Sequence, residues 1–97
     1  MKKQNSSYAQ MRIGFYEASL QCKNTLQLVD EFNQLAHSRG WTAERSYYST
    51  AFINVMLQRG IDVSAIAEWD EKSGRILSVR YGVVGFDEIS NSLMSLK

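Results

Sequence analysis

Two stretches of the chain, Ser38-Arg39-Gly40-Trp41 and Gln58-Arg59-Gly60-Ile61, decide the helical part of the fold. In each stretch, a run with helical periodicity ends at an arginine, which is followed by a glycine and a large apolar residue. A cation is favourable at the carboxyl end of a helix dipole, and glycine adopts the left-handed conformation that commonly ends a helix. The repeat therefore predicts two consecutive helices, over 25–39 and 43–59, that end in the same way.

The starts of both helices carry capping signals. Asn24 and Gln27 have the spacing of a capping box, in which each side chain bonds the backbone N–H of the other residue, and Thr42 can cap the second helix. The first helix has one apolar stripe, formed by Leu28, Val29, Phe32, Leu35 and Ala36. The second is apolar around more than half of its circumference, so we expect it to be covered on two sides. Its apolar residues are Tyr47, Tyr48, Ala51, Phe52, Ile53, Val55, Met56 and Leu57.

The C-terminal third of the chain predicts a β-hairpin. Residues 65–69 and 75–84 are rich in β-forming side chains and flank a polar segment, 70–74, that ends in glycine. Alternation in the second strand places Leu77, Val79, Tyr81 and Val83 on one face and Ser78, Arg80 and Gly82 on the other. After it, Asp87 can cap a short final helix carrying Ile89, Leu93 and Met94.

Residues 8–20 are ambiguous between strand and helix. Met11, Ile13 and Phe15 alternate with polar or small residues, as in a half-buried strand, whereas Tyr8, Met11, Phe15 and Ala18 fit a helical spacing. Gly14 disfavours a helix interior by about 1 kcal/mol relative to alanine. The strand is the preferred interpretation.

Together these elements predict an α+β fold with the order β-α-α-β-β-(α). We expect a small antiparallel three-stranded sheet with a two-helix hairpin packed on one face. The chain has 97 residues, which predicts a single domain over 1–97. Residues 1–7 are polar and are predicted to form a disordered N-terminal tail.

Composition argues against several classes of protein. Eleven basic and ten acidic residues give a net charge of +1, so no overall field favours nucleic acid or an anionic membrane. The single cysteine, Cys22, cannot form an internal disulfide framework. No signal peptide and no apolar run of about 20 residues can be identified, so we expect a cytoplasmic protein without a membrane span.

The residue types that carry chemistry do not form a recognisable active site. Cys22 and His37 are too few for a zinc site, which needs three or four ligands. Tyr47 and Tyr48 lie on an apolar helix face, where tyrosines are usually core residues. The Asp70-Glu71 pair lies in a predicted turn, which favours such residues for local reasons. We therefore expect a non-enzymatic protein with no cofactor and no metal.

Two surfaces are candidate binding sites. The junction between the two helices holds Arg39, Trp41 and Arg45, with a short turn that also suits a helix-turn-helix motif. The open face of the predicted sheet would hold Arg12, Tyr16 and Arg80, or would present a cross-strand pair between Arg80 and Glu68. Arginine and tyrosine are enriched both at protein interfaces and at RNA-binding surfaces.

The composition favours a protein partner over a nucleic acid. Two Trp, five Tyr, four Phe and four Met residues are many for a chain with a small interior, and a small sheet has open edges that can pair with another chain. The leading hypothesis is therefore a protein-interaction or assembly module that forms a homodimer. The alternative is a small nucleic-acid-binding regulator that uses the arginines of either surface, with binding that weakens as salt rises.

Overall fold

The fold is α+β, and its described residues form three helices followed by two antiparallel β-hairpins. The structure is a computed structural model, and it describes residues 3–36, 43–73, 76–80 and 82–96. Side chains are described for these residues except 3–7, 36 and 43. The elements are α1 (Lys3–Gln21), α2 (Thr25–Ala36), α3 (Ala43–Gln58), β1 (Ala67–Trp69), β2 (Ile76–Val79), β3 (Val83–Asp87) and β4 (Ser92–Leu96).

The predicted first strand is wrong, because residues 8–20 lie within α1. Its inward residues follow helical spacing: Leu20 is buried, and Ile13 and Tyr16 pack against the core. Phe15 and Met11 lie on the opposite, exposed side. The alternation of apolar residues therefore arises from two apolar faces of one helix, a pattern that resembles the period of a strand over a short window. Helix α1 begins at Lys3, inside the predicted tail; the tail's disorder in solution stays a prediction.

The start of α2 is confirmed. The N–H of Gln27 donates to Asn24 Oδ1 at 2.8 Å, and the N–H of Asn24 donates to Gln27 Oε1 at 2.9 Å. These reciprocal bonds form a capping box and satisfy N–H groups that the first helical turn leaves unpaired. The predicted end at Arg39 and Gly40, the packing of Trp41 and the cap at Thr42 lie outside the described residues.

The end of α3 is also confirmed. Gly60 has φ of 74°, and its N–H donates to the carbonyl oxygen of Leu57 at 2.9 Å. The N–H of Ile61 donates to the carbonyl oxygen of Met56 at 3.0 Å. These two bonds are those of a Schellman motif, which needs a left-handed residue that glycine supplies without a Cβ clash. Ile61 is buried, as its predicted return to the last turn requires.

Helix α3 lies at the centre of the core. It packs against α1 and α2, and the Phe32 and Phe52 rings of α2 and α3 stack with centroids 4.4 Å apart. The expectation that α3 is covered on two sides holds, although one covering element is a helix where a strand was predicted. The buried residues of α3 are Tyr48, Ser49, Ala51, Phe52, Ile53, Val55 and Met56.

The single three-stranded sheet is replaced by two separate two-stranded sheets. β1 pairs with β2, and β3 pairs with β4, both antiparallel. The first pair confirms the predicted hairpin around Asp70, whose carboxylate accepts bonds from Lys72 N–H and Ser73 Oγ. The register skips Leu77, which makes it the extra residue of a β-bulge in β2.

The predicted inner face of the strand over 75–84 is also wrong. Leu77 is 62% exposed and Val83 is 41% exposed, since the predicted strand is divided between β2 and β3. Val79 does pack against the core, and Tyr81 lies outside the described residues.

The predicted final helix at Asp87 is a turn and a strand. Asp87 Oδ1 accepts from the N–H of Ile89 at 3.1 Å, and Oδ2 accepts from Ser90 Oγ at 2.8 Å. Asn91 then has φ of 54°, a left-handed conformation that asparagine tolerates. The side chain of Asp87 thus caps the turn of the β3–β4 hairpin, and Leu93 enters the core from β4.

Hydrogen bonds at both edges fix the β3–β4 hairpin to the rest of the chain. The Asn33 side chain of α2 bonds both backbone polar groups of Val84 in β3. Beside β4, the Asp62 carbonyl accepts from the N–H of Leu93 at 2.8 Å, and the N–H of Asp62 donates to the Asn91 carbonyl at 3.0 Å. Both outer edges of this hairpin are therefore partly occupied.

Candidate protein-binding surface on helix α1

Two predicted site residues, Arg12 and Tyr16, do lie together, but on a helix. Four positions separate them on α1, so they lie on the same side of the helix. Both reach Glu44 in the first turn of α3. Arg12 Nη2 donates to Glu44 Oε1 at 2.9 Å and Arg12 Nε to Oε2 at 3.3 Å, while the Tyr16 hydroxyl donates to Oε1 at 2.6 Å.

The position of Glu44 explains the ionisation of the cluster. A carboxylate is favourable at the amino end of a helix, and the hydrogen bond from Arg12, with that from Tyr16, lowers the pKa of Glu44. The Glu44 carboxylate also raises the pKa of the Arg12 guanidinium, to which it is hydrogen-bonded. It raises the pKa of the Tyr16 phenol as well, because it accepts the hydrogen bond of that hydroxyl. Arg12 is thus an internal ion-pair partner, 28% exposed, whose charge is matched by Glu44.

A second polar cluster, which includes the buried Tyr48, lies beside the first. The hydroxyl of Tyr48 on α3 donates to Glu31 Oε1 at 3.0 Å, and Lys23 Nζ donates to Glu31 Oε2 at 2.6 Å. Burial, with the charge of Glu31, raises the pKa of Tyr48. The Tyr16 and Tyr48 rings meet edge to face at 5.6 Å, which places the two clusters side by side between the helices. Their arrangement joins elements and presents no activated nucleophile.

The solvent-facing side of α1, next to Arg12, has a different character. Its three large apolar side chains are strongly exposed: Tyr8 at 54%, Met11 at 61% and Phe15 at 59%. Gly14 and Ala18 lie beside them and leave a shallow region without large side chains. We call these five residues the α1 surface.

The α1 surface is part of a larger exposed face of α1 that carries no charged residue. Exposed helix faces of globular proteins usually carry charged residues, but none of the exposed residues over 8–22 does so. They are Tyr8, Gln10, Met11, Gly14, Phe15, Ala18, Ser19, Gln21 and Cys22. An uncharged helix face that exposes three large apolar side chains is typical of a protein-binding site.

The rings of the α1 surface are held in place by neighbours on both helices. Tyr8 meets Tyr47 of α3 edge to face at 6.1 Å. Phe15 lies under the Arg12 guanidinium, 4.9 Å from its ring centroid, and edge to face against Tyr16 at 5.6 Å. Because these contacts restrict the side chains before any partner arrives, less conformational entropy is lost on binding.

The remaining predicted site residues do not join this surface. Arg45 is half-buried in the first turn of α3. Arg80 is exposed just after β2, opposite Ile66, and the residue opposite Glu68 is Ser78, so the register does not form the predicted cross-strand pair of Arg80 and Glu68. Arg39 and Trp41 lie outside the described residues.

Within the described part of the chain, no group of three or more metal-ligating side chains comes together, and no helix is long and apolar enough to cross a bilayer. Cys22 is exposed at the end of α1, and His37 lies outside the described residues.

Sequence reasoning missed two parts of this site. It noted the helical spacing of Tyr8, Met11 and Phe15 but assigned the segment to a strand. It also missed Glu44 as the partner of Arg12, because the two are 32 positions apart.

Comparison with known proteins adds nothing, since no family model, curated protein or solved structure matches this chain.

Proposed function

We propose that the chain is a non-enzymatic protein-interaction module that assembles with a second copy of itself through the α1 surface. The observation that carries this proposal is the exposure of Tyr8, Met11 and Phe15 on a helix face without charge. Contiguous exposed apolar residues of this kind mark interaction sites in monomeric folds, and tyrosine, phenylalanine and methionine are enriched at interfaces.

A second copy is the partner that fits this surface best. A two-fold interface uses the same patch on both subunits, so the patch must be complementary to itself. The α1 surface meets that condition because it holds large side chains, Met11 and Phe15, beside small ones, Gly14 and Ala18. A Cβ at Gly14 would meet no atom within 4 Å, so a side chain of the partner helix has room there.

Electrostatics also permit self-association. Two copies of a patch with a strong charge of one sign would repel each other. The α1 surface carries no charge, the charge of the adjacent Arg12 is matched by Glu44, and the net charge of the chain is only +1. An antiparallel arrangement of the two α1 helices opposes their dipoles and is favoured over a parallel one.

The size of the surface predicts a weak dimer. A stable interface buries about 800 Å² on each partner, and the three large side chains of the α1 surface cover only part of that area. We therefore expect a dissociation constant in the micromolar range, at which copies assemble and exchange readily.

Sedimentation equilibrium tests the proposal. The unmodified chain should show a reversible monomer–dimer equilibrium, and Phe15→Glu should shift it towards monomer, because two carboxylates would be buried in one apolar interface. The matched control is Ile89→Glu, since Ile89 is 96% exposed in the β3–β4 turn. A chain that stays monomeric at high micromolar concentration, or equal effects of the two variants, would refute self-assembly through α1.

The alternative proposal, a nucleic-acid-binding regulator, gains no supporting contact from the described residues. It named Arg12 as a phosphate contact, and the Arg12 guanidinium is bound to Glu44 instead. A salt-sensitive shift of the chain with mixed DNA or RNA at low ionic strength would restore it.

A further inference from the structure

A buried serine on α3 has an unused hydrogen-bonding group. Ser49 is 1% exposed, and its Oγ is a buried polar atom without a partner among the described residues. Buried polar atoms are nearly always hydrogen-bonded, so an exception calls for an explanation. Ser49 contributes to the wall of a groove of about 210 Å³ between α3 and β2.

One wall of this groove is the outer edge of β2. The lining includes Ile76, Leu77, Ser78 and Val79, which are the whole of β2, and no residue of β1. Arg80 N–H points to β1, because it donates to the Ile66 carbonyl at 2.7 Å. Successive N–H groups of a strand point in opposite directions, so Val79 N–H points away from β1, towards the side where the groove lies.

The other wall is a row of hydroxyl groups. Ser46, Ser49 and Thr50 occupy positions i, i+3 and i+4 of α3 and therefore share one face, and Ser78 adds a fourth hydroxyl from β2. A hydroxyl can donate and accept a hydrogen bond. None of the described residues that line the groove is charged, so these residues would give an ionic ligand no counter-charge for the hydration that it loses.

We propose that this groove binds an extended, uncharged peptide segment of a partner protein, which adds a strand to the outer edge of β2. A peptide backbone presents N–H and C=O groups in turn, and this is the pattern that both a free strand edge and a row of hydroxyls satisfy. Because the Ser49 hydroxyl is buried and has no partner among the described residues to hold it, the segment turns this side chain about χ1 and places one of its own peptide groups against Oγ. The groove shares no residue with the α1 surface, so a result that refutes self-assembly through α1 would not refute peptide binding in the groove.

The experiment is an NMR titration of the full chain with the blocked tripeptide acetyl-Val-Thr-Val-amide. We expect saturable changes at the backbone amides of Leu77, Ser78 and Val79. Ser49→Ala should weaken binding by about five- to tenfold, which is the worth of one hydrogen bond. Ser95→Ala is the control: this serine is exposed on β4 and away from the groove, and its loss should leave the affinity unchanged.

Two further experiments can contradict the proposal. Thr50→Val keeps the shape of the side chain while removing its hydroxyl, so it repeats the test without opening a void. A titration with sorbitol reports a site for small polyols. Three results would overturn the assignment. The first is the absence of saturable shifts in β2 at millimolar tripeptide, and the second is equal affinity of both hydroxyl-deleted variants and the unmodified chain. The third is saturation of the site by sorbitol but not by the tripeptide.

Discussion

The side-chain amide of Asn33 holds both backbone polar groups of Val84, although 51 positions separate the two residues. Asn33 Nδ2 donates to the Val84 carbonyl at 2.9 Å, and the N–H of Val84 donates to Asn33 Oδ1 at 2.8 Å. The amide thus occupies the place that a peptide group of a neighbouring strand would take. This pair links α2 to the β3–β4 hairpin, which would be marginal alone.

Replacement of Asn33 should therefore destabilise the fold. Asn33→Asp keeps an acceptor for the Val84 N–H but removes the donor, which leaves a buried carbonyl unpaired. We expect a loss of about 1–3 kcal/mol in the free energy of unfolding, measured by urea denaturation. Hydrogen exchange at the Val84 amide should accelerate more than at amides of α1. An unchanged urea midpoint would show that the pair contributes nothing net.

Two glycines should respond to alanine with opposite signs. Gly14 lies exposed within α1 with open space around it, so Gly14→Ala should stabilise the chain by about 1 kcal/mol through helix propensity. Gly60 has φ of 74°, and Gly60→Ala should destabilise it by about 1–2 kcal/mol. Thermal unfolding of the two variants checks the pair, and equal signs would contradict the assigned conformations.

Acid should weaken the contact between α1 and α3 through Glu44. The pKa of this carboxyl is lowered from 4.5, chiefly by the hydrogen bond from Arg12. Its stabilising contribution is therefore complete above the ordinary pKa and disappears as the pH falls through the lowered one. Urea midpoints of the unmodified chain and Glu44→Gln should differ at neutral pH and converge in acid. Glu88→Gln, in an exposed turn, should not show this convergence.

The single cysteine can report the direction of the proposed dimer. Seven positions separate Phe15 from Cys22. If two α1 helices cross antiparallel near Phe15, nitroxide labels on Cys22 should lie about 25 Å apart. Double electron–electron resonance measures this distance. Ready disulfide formation between copies would indicate a parallel arrangement, and loss of the signal in Phe15→Glu would tie it to the α1 surface.

Ser49→Ala should make the free chain more stable. An unpaired buried hydroxyl is unfavourable, and removing it should raise the free energy of unfolding by about 1 kcal/mol. The same substitution should weaken peptide binding, so stability and affinity move in opposite directions. Chemical denaturation with Ser95→Ala as reference measures the first effect. A marked loss of stability would mean that Ser49 has a hydrogen-bond partner in solution.

The parts of the fold that follow from local rules could be predicted. The Asn24–Gln27 capping box and the Gly60 helix end depend on neighbouring residues only, and both were correct. The turn at Asp87 was not, because an aspartate that bonds nearby N–H groups serves helix caps and turns equally well. Leu93 decides between a helix and a turn at Asp87, because it is buried as part of a strand.

The candidate site was predictable only in part, for a similar reason. Arg12 and Tyr16 were identified as a pair, but whether Arg12 was available depended on Glu44, and that contact exists only once α1 packs on α3. The exposure of Phe15 likewise depends on which apolar face of α1 the core uses, and periodicity alone gives both faces equal weight.

The bonds from Asn33 to β3 and from Asp62 to β4 also affect where the chain can aggregate at high concentration. Unpaired strand edges are where fibrils and other misassembled β-structures begin. The β3–β4 hairpin is partly occupied at both edges, whereas no described strand pairs with the edge of β2 along the Ser49 groove. Aggregation of the folded chain should therefore start at β2, and a segment bound there would act as an inhibitor of fibril growth as well as a partner.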